Sequence, residues 1–459
     1  MNIHGYMKKW TKTPGKHFRM AKAIAYLYKC PVKNKRQGKN RKDKSLAMVK
    51  FVITTKQIET MNKSKKFSGQ PIIKQLLSFI NNQNVYRTAE QYKSDRYTKR
   101  FTTYEHLVTM IFSVLSGCSS LREVTSIMLA CEGKLSHLGI KHFPRRSTLA
   151  DANKRRSSQV FGAIYYELYN HYKYVLSDSR TKREAIEGLQ IIDSTTITLF
   201  SDILKGTGRN PIAGNKKGGI KMHTIINAME DVPSLVKFSS AATHDHTFLK
   251  DLKLKKGSYI VFDKGYTDYQ QYEQWSLDEI YFVTRQKENA VYTSVEEFDL
   301  DEKTDYAILK DEKINLTKKD GTTFALRRIA YWHEKHKRVY EFITNNFELP
   351  ADKIAEIYKN RWQIETMFKR LKQNFPLKYF LGDTQNAIEI QIWISLIVQL
   401  LLLVIQCKAE RRWAYANMVS VIRYHLMTYI NLFKFLKNPD SEWEYLTTKL
   451  PAQLSLFYG

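Results

Sequence analysis

Apolar residues recur at helical spacing through the first part of the chain and at strand spacing further on. Ile72, Ile73, Leu76, Leu77 and Ile80 form one stripe at intervals of three and four. Tyr104, Leu107, Val108, Ile111, Phe112 and Leu115 form a second, and Val160, Phe161, Ile164, Tyr165, Leu168 and Tyr169 a third. Stripes of this kind turn one face of a helix into a core. Between the second and third lies FPRRSTLADANKRR, residues 143–156, where Thr148 stands three residues before Asp151. That is capping-box spacing and predicts a helix start. Near residue 188 the period changes. LQIIDSTTITLF, residues 189–200, is a β-branched run expected to form a buried strand, and residues 221–228, 236–241 and 258–263 are further strand candidates. Strands alternating with helices predict a mixed α/β domain.

Residues 285–320 are polar, with acids gathered in 296–305, and residues 324–332 and 338–344 read as a hairpin across HEKHK. A β-rich insertion over 281–345 is therefore expected. IQIWISLIVQLLLLVI, residues 390–405, is sixteen residues long and interrupted by Gln391, Ser395 and Gln399. A membrane span needs about 20 apolar residues, so this stretch predicts a buried core helix and no membrane association. Residues 409–459 look helical and aromatic.

Length and charge narrow the function. A chain of 459 residues accommodates two or three domains, and a net charge of +29 favours a polyanionic partner, nucleic acid first. Residues 1–60 hold 16 Lys or Arg against 2 acids, and KNKRQGKNRKDK at 33–44 is too charged to pack. A segment of more ordinary composition opens at Met61. Residues 1–60 are expected to be a disordered basic extension, either upstream of the true start or an arm that tracks DNA phosphates. Four cysteines without a CxxC pair signal neither a zinc knuckle nor a disulfide framework. A reducing cytoplasm fits. The glycines at 206, 208, 214, 218 and 219 lack a following G-K-[ST], so no nucleotide triphosphate site is expected.

The densest chemical signal is YKNRWQIETMFKRLK, residues 358–372. On one continuous helix, Tyr358, Arg361, Glu365 and Lys372 point within about 60° of one another. An acid flanked by two cations suits a metal ion beside a phosphate; Trp362, Ile364, Phe368 and Leu371 supply the apolar side. Asp193 and Asp263 each end an apolar strand, a costly place for a lone acid unless something satisfies it. His244, Asp245 and His246 form a tempting H-D-H without a fourth ligand nearby, and His223 reads as a core histidine.

The 358–372 segment resembles the Y-x2-R-x3-E-x6-K signature of DDE transposases of the insertion-sequence-four family. IIDSTTI and VFDKGYTD resemble that family's first two catalytic blocks, KKGGIKMH its stretch after the first strand, and SGQPIIKQLLSFI and RRSTLADANKRR its N-terminal domain. The resemblance runs from about 61 to 410. It implies a ribonuclease-H-like catalytic core over 186–408, preceded by a helical DNA-binding domain over 61–185 and followed by a helical segment, 409–459. It makes Asp193, Asp263 and Glu365 the catalytic, metal-binding acids, holding two Mg²⁺ ions with Mn²⁺ able to substitute. Tyr358, Arg361 and Lys372 become phosphate-binding residues. Arg145, Arg146, Lys216 and Lys217 are further DNA-binding candidates; Trp332 is either a platform for a flipped base or a core residue. The implied activity is cut-and-paste transposition: binding of the element's terminal inverted repeats, cleavage, and joining to target DNA. A homodimer would bring two ends together, in a bacterial cytoplasm and on the nucleoid when bound. A decayed or repurposed copy acting as a repressor, and a nuclease without strand transfer, are the alternatives.

Overall fold

The computed structural model describes residues 69–131, 133–178, 188–198, 219–300 and 307–439. The chain divides into two units, 1–66 and 67–459. The expected extension 1–60 and the candidates Lys216 and Lys217 lie outside the described residues.

Among the described residues six α-helices come first: α1 (Ile72–Leu77), α2 (Asn82–Gln91), α3 (Thr103–Ser116), α4 (Leu121–Ala130), α5 (Arg146–Arg155) and α6 (Ser158–Asp178). All three apolar stripes are buried, apart from the half-buried Tyr169. The expected helix start at Thr148 is displaced. α5 begins two residues earlier, from an extended Arg145 that makes no side-chain cap, and Asp151 pairs with Arg155 instead. A true capping box stands at α3, where Thr102 and Glu105 exchange side-chain and backbone bonds.

The sheet has nine strands: β1 (Leu189–Thr198), β2 (Gly219–Asn227), β3 (Pro233–Ser240), β4 (Tyr259–Phe262), β5 (Tyr281–Arg285), β6 (Tyr292–Glu297), β7 (Ile308–Thr317), β8 (Thr323–His333) and β9 (Arg338–Thr344). Their spatial order is β3-β2-β1-β4-β5-β9-β8-β7-β6. β1, β4 and β5 are parallel neighbours; every other pairing is antiparallel. The strands of 281–345 thus extend the same sheet, and β5 belongs to its parallel part. β6 and β7 lie where the sequence reads only as polar. β7 carries Asp311 and Glu312 into the interior, where they meet Arg327 and Arg328 of β8, each pair at 2.6 Å. Charges neutralised across strands leave no hydropathy signal.

Between β4 and β5 lies α7 (Tyr269–Leu277). After β9 come α8 (Ala351–Asn360), α9 (Trp362–Asn374), α10 (Gln385–Lys408), α11 (Tyr415–Tyr424) and α12 (Leu432–Lys437). Strand alternation sorts the sheet's two faces. Leu189, Ile191, Val261 and Val283 join the cluster that holds α8, α9, α10 and the early helices. Ile192, Ile260, Phe262 and Phe282 join Tyr272 and Trp275 of α7 on the other face.

α10 is the axis of the larger cluster. Among the described residues it is the single helix long and apolar enough to cross a membrane, yet 94% of its apolar window is buried inside the protein. It runs 24 residues, beyond the sixteen expected. Gln391 does not break it, because its amide donates to the Pro376 and Tyr379 carbonyls and accepts from Leu381 N–H. α6 crosses it closely: a Cβ at Gly162 would stand 3.0 Å from the Trp393 ring, which Tyr165 and Tyr166 flank. The early helices also hold the last ones. Ile72 and Ile73 N–H donate to the Thr428 and Leu426 carbonyls, and Gln75 bonds the backbone of Ile430 and Leu432.

Candidate active site

The parallel pairing of β1 with β4 sets Ile192 opposite Phe262, and the next residue on each strand is an acid. By alternation Asp193 and Asp263 emerge on the face shared with Leu189, Ile191 and Val261, the face that α8 and α9 cover. Arg285, two residues past Val283 on β5, emerges on the same face. The signature segment crosses above them. It is not one helix: α8 ends at Asn360, Arg361 forms a turn at φ −52°, ψ −32°, and α9 starts at Trp362. Trp362, expected on the apolar side, is 54% exposed. Ile364, Met367, Phe368 and Leu371 anchor α9 instead.

Asp193, Asp263, Glu365, Tyr358 and Arg361 line one open cavity of about 490 Å³. Arg361, only 7% exposed, sits among the acids, with its guanidinium 2.7 Å from Glu365 Oε1 and 3.6 Å from Asp193 Oδ2. Arg285 lies 3.3 Å from Asp263 Oδ1, and Tyr358 Oη reaches that oxygen at 3.5 Å. Asp263 Oδ2 accepts from Gly265 N–H at 3.1 Å, capping the short 3-10 turn that follows β4. Asp193 Oδ1 accepts from Ser194 N–H at 2.7 Å.

Burial pushes the Asp193 carboxyl up to about 7, and the negative charge of Asp263 and Glu365 adds to it. The Ser194 N–H and Arg361 pull the other way without cancelling the effect. Burial opposes the Arg361 charge, yet the fields of Tyr358, Glu365 and Asp193 raise its pKa above the usual arginine value. The cavity thus gathers acids, with the guanidinium groups of Arg285, Arg338 and Arg361 neutralising part of their charge. Among the described residues no three His, Cys, Asp or Glu side chains already form a closed metal cage.

The other expected residues lie elsewhere. Lys372, two turns beyond Glu365, does not line the cavity; its amine donates to the Thr196 carbonyl at 3.1 Å. Arg145 and Arg146 are exposed where α5 starts, whereas Arg156 at its end is buried against Phe101 and Asp95. Trp332 is 37% exposed, opposite Val339 on the β8–β9 hairpin, so it is neither a core residue nor a cavity wall. His223 is buried and stacked on Phe248.

Sequence reading missed several cavity residues. Arg285 follows the same alternation as the two aspartates and could have been found from it. His336, Arg338 and Tyr340 reach the cavity from the β8–β9 hairpin tip, which the sequence marks only as a turn. Asp245 lines it too. The H-D-H segment opens a 3-10 turn, Asp245–Asp251, and only its aspartate lines the cavity.

Comparison with known proteins agrees with this chemistry. Residues 185–401 match the family model of the transposase DDE domain, and residues 68–141 match a domain of unknown function (DUF4372). The transposase y4zB of Sinorhizobium fredii is 30% identical over 291 residues, 59% of this chain and 79% of that protein. A transposase for insertion sequence element IS5377 of Geobacillus stearothermophilus is 24% identical, covering 50% of this chain and 56% of its own. One for insertion sequence element IS4SA of Synechocystis is 26% identical, covering 61% and 76%. The piggyBac transposase synaptic complex with hairpin DNA is a remote structural likeness, with TM-score 0.41 and 10% identity over 82% of this chain and 85% of that one; at that distance it carries no weight. With y4zB 30% identical and matched over 79% of its length, the chain belongs to the DDE transposases of insertion sequences, DNA transposases of the insertion-sequence-four type.

Proposed function

We propose that this transposase cuts and joins DNA at the acidic cavity, with Asp193, Asp263 and Glu365 as its catalytic carboxylates. One observation carries the reading: three acids from three separate elements, β1, the end of β4, and α9, line a single cavity. An all-oxygen donor set suits a hard divalent cation such as Mg²⁺, or Mn²⁺ in its place. The strain on Asp193 fits it as well, since burial beside two further acids leaves its charge in need of a counter-ion. The three acids would hold two ions, which when bound supply an activated attacking oxygen and charge stabilisation at the leaving oxygen.

The chain's own groups do the positioning. Arg361, packed over the Tyr358 and Trp362 rings, offers a fixed guanidinium to a backbone phosphate. Its Nε and that of Arg285 are buried without a hydrogen-bond partner among the described residues, which leaves donor capacity toward such a ligand. Tyr358 orients Arg361 from beneath. Lys372 assists from the cavity's margin, once its amine is released from Thr196. Arg145, Arg146, Lys216, Lys217 and Trp332 are proposed DNA contacts outside the cavity.

A ribonuclease-H-like core belongs to this reading. It is supported by the sub-order β3-β2-β1-β4-β5, antiparallel across its first three strands and parallel across its last three, with the two aspartates on adjacent parallel strands. We assign 61–185 to DNA binding, 1–60 to a basic extension, 186–408 to catalysis with 281–345 as an insertion, and 409–459 to a C-terminal helical segment. The partners are element-end DNA and target DNA, met as a homodimer in the bacterial cytoplasm. The repressor alternative gains nothing from the site, because DNA binding alone does not call for three acids gathered in one cavity.

The test is cleavage of labelled element-end DNA with Mg²⁺ or EDTA. Asp193→Asn, Asp263→Asn and Glu365→Gln should each bring cutting down to the EDTA background while a gel shift still detects end binding. Cutting that survives in any one variant removes that residue from the catalytic set.

A further inference from the structure

Asp245 lines the acidic cavity but has no part in the chemistry above. It reaches the cavity from the side of the sheet opposite Asp193. Ser194 and His223 are register partners on β1 and β2, and Phe248 of the Asp245–Asp251 turn stacks on His223 at 5.0 Å. On this face Asp245 Oδ1 accepts from Ser194 Oγ at 2.7 Å, with Lys221 Nζ 3.1 Å from the same oxygen. Lys221 is 1% exposed and also donates to the Thr243 carbonyl at 2.6 Å. A cation so enclosed requires a carboxylate beside it, and the pair fixes Asp245 in place.

Ser194 joins the two faces. Its hydroxyl goes to Asp245, and its backbone N–H goes to Asp193 Oδ1 at 2.7 Å. We propose that Asp245 is a positioning residue for the Asp193 carboxylate, acting through Ser194, with Lys221 as its buried counter-ion. The inference rests on Asp193 being a reacting acid. A charge-assisted bond to the Ser194 hydroxyl holds that residue's backbone from behind, and the held backbone aims the Asp193 carboxylate into the cavity. Without it, the Ser194 peptide, which lies past the last β1–β4 pair and is held by β2 alone, shifts and Asp193 loses its fixed donor.

The experiment uses the full-length protein with element-end DNA and a Mn²⁺ titration. Ser194→Ala removes the bond without unpairing Lys221, so it tests the idea even if Asp245→Ala fails to fold. Ser194→Ala and Asp245→Ala should each slow cleavage roughly tenfold, a coupling typical of residues in one hydrogen-bonded network. The double variant should be no slower than the slower single variant. Ser194→Thr, which keeps the hydroxyl, should restore the rate. End binding by gel shift should stay at the wild-type value in Ser194→Ala, while the half-saturating Mn²⁺ concentration should rise alike in Ser194→Ala and Asp245→Ala, since both loosen an ion-holding carboxylate. A wild-type rate in Ser194→Ala, or additive losses in the double variant, overturns the proposal. So does a raised Mn²⁺ requirement confined to Asp245→Ala, which would make Asp245 a direct ion ligand. Asp193→Asn is run alongside: if it cleaves normally, the reading of Asp193 has failed, whereas if it is dead and Ser194→Ala is normal, only the present inference has.

Discussion

His106 shows what burial does to a single titrating residue in this protein. Its Nε2 meets Asn153 Oδ1 at 2.8 Å, and its ring lies edge-on to Phe161. Burial, reinforced by the nearby Arg156 charge, pushes its pKa down to about 3. The unfolded chain takes up that proton near pH 6.5, but the folded chain refuses it until about 3. Stability from this group is therefore complete above about pH 6.5 and is lost as pH falls toward 3. His223, pushed down to about 4, acts in the same direction. Asp193 has the opposite sign: its folded pKa is raised, so its contribution is complete below the unfolded carboxylate value and is lost as pH rises toward about 7. Because the windows overlap, a substitution is needed to separate them. His106→Gln, which keeps an Asn153 partner but cannot titrate, should flatten the loss of stability between pH 6.5 and 4 in denaturant melts; an unchanged slope would refute the assignment. At this scale the sequence was legible where chemistry coincided with a local pattern. Asp193 interrupts an apolar strand, Asp263 follows one, and Glu365 lies in a spaced signature. Asp245 and Tyr340 were not legible, because their partners lie across the fold and no spacing records them.

The polar stretch before the β8–β9 hairpin shows how an element escapes hydropathy. β7 alternates through Glu312, Ile314 and Leu316, but two of its buried residues, Asp311 on one face and Glu312 on the other, are acids. Asp311 is held by both guanidinium ends of Arg327, at 2.6 and 2.8 Å, and Arg327 also donates to the Leu349 carbonyl. Removing one partner of a buried pair strands the other charge. Arg327→Met is expected to cost roughly 3–5 kcal/mol. Adding Asp311→Leu should recover much of that, though not all, because Leu349 remains without its donor. Denaturant midpoints of the three variants check this; a double variant as unstable as the single would mean the pair is not the source of the cost. Other elements differed for equally local reasons. The signature segment keeps helical spacing through Arg361 but turns there, and α5 starts from an extended Arg145 instead of at Thr148. β1 and α10 were legible because apolar and β-branched residues dominate their length, with Asp193 an isolated charge within β1 and Glu389 one near the start of α10.

At the scale of the whole molecule, the described helices before β1 do not own a core. Their buried faces merge with α10, with α11 and α12, and with one face of the sheet. The sequence suggested successive domains, because a change of period looks like a boundary; which helix fills which groove is invisible along the chain. A fragment of residues 67–185 should therefore fail to fold alone. In circular dichroism it should show helix content without a cooperative melt, whereas 67–459 should melt cooperatively. A sharp transition in the short fragment would show that the helices are self-sufficient. The backbone bonds joining Ile72, Ile73 and Gln75 to residues 426–432 extend this to synthesis. The ribosome releases the first helices long before it makes the strands of chain that complete them, so the helical layer waits for residue 432 and beyond. A copy of the gene interrupted by a late stop codon would then yield no residual DNA-binding remnant that competes with intact transposase for element ends, and loss of activity by truncation would leave a recessive product, degraded and without interference.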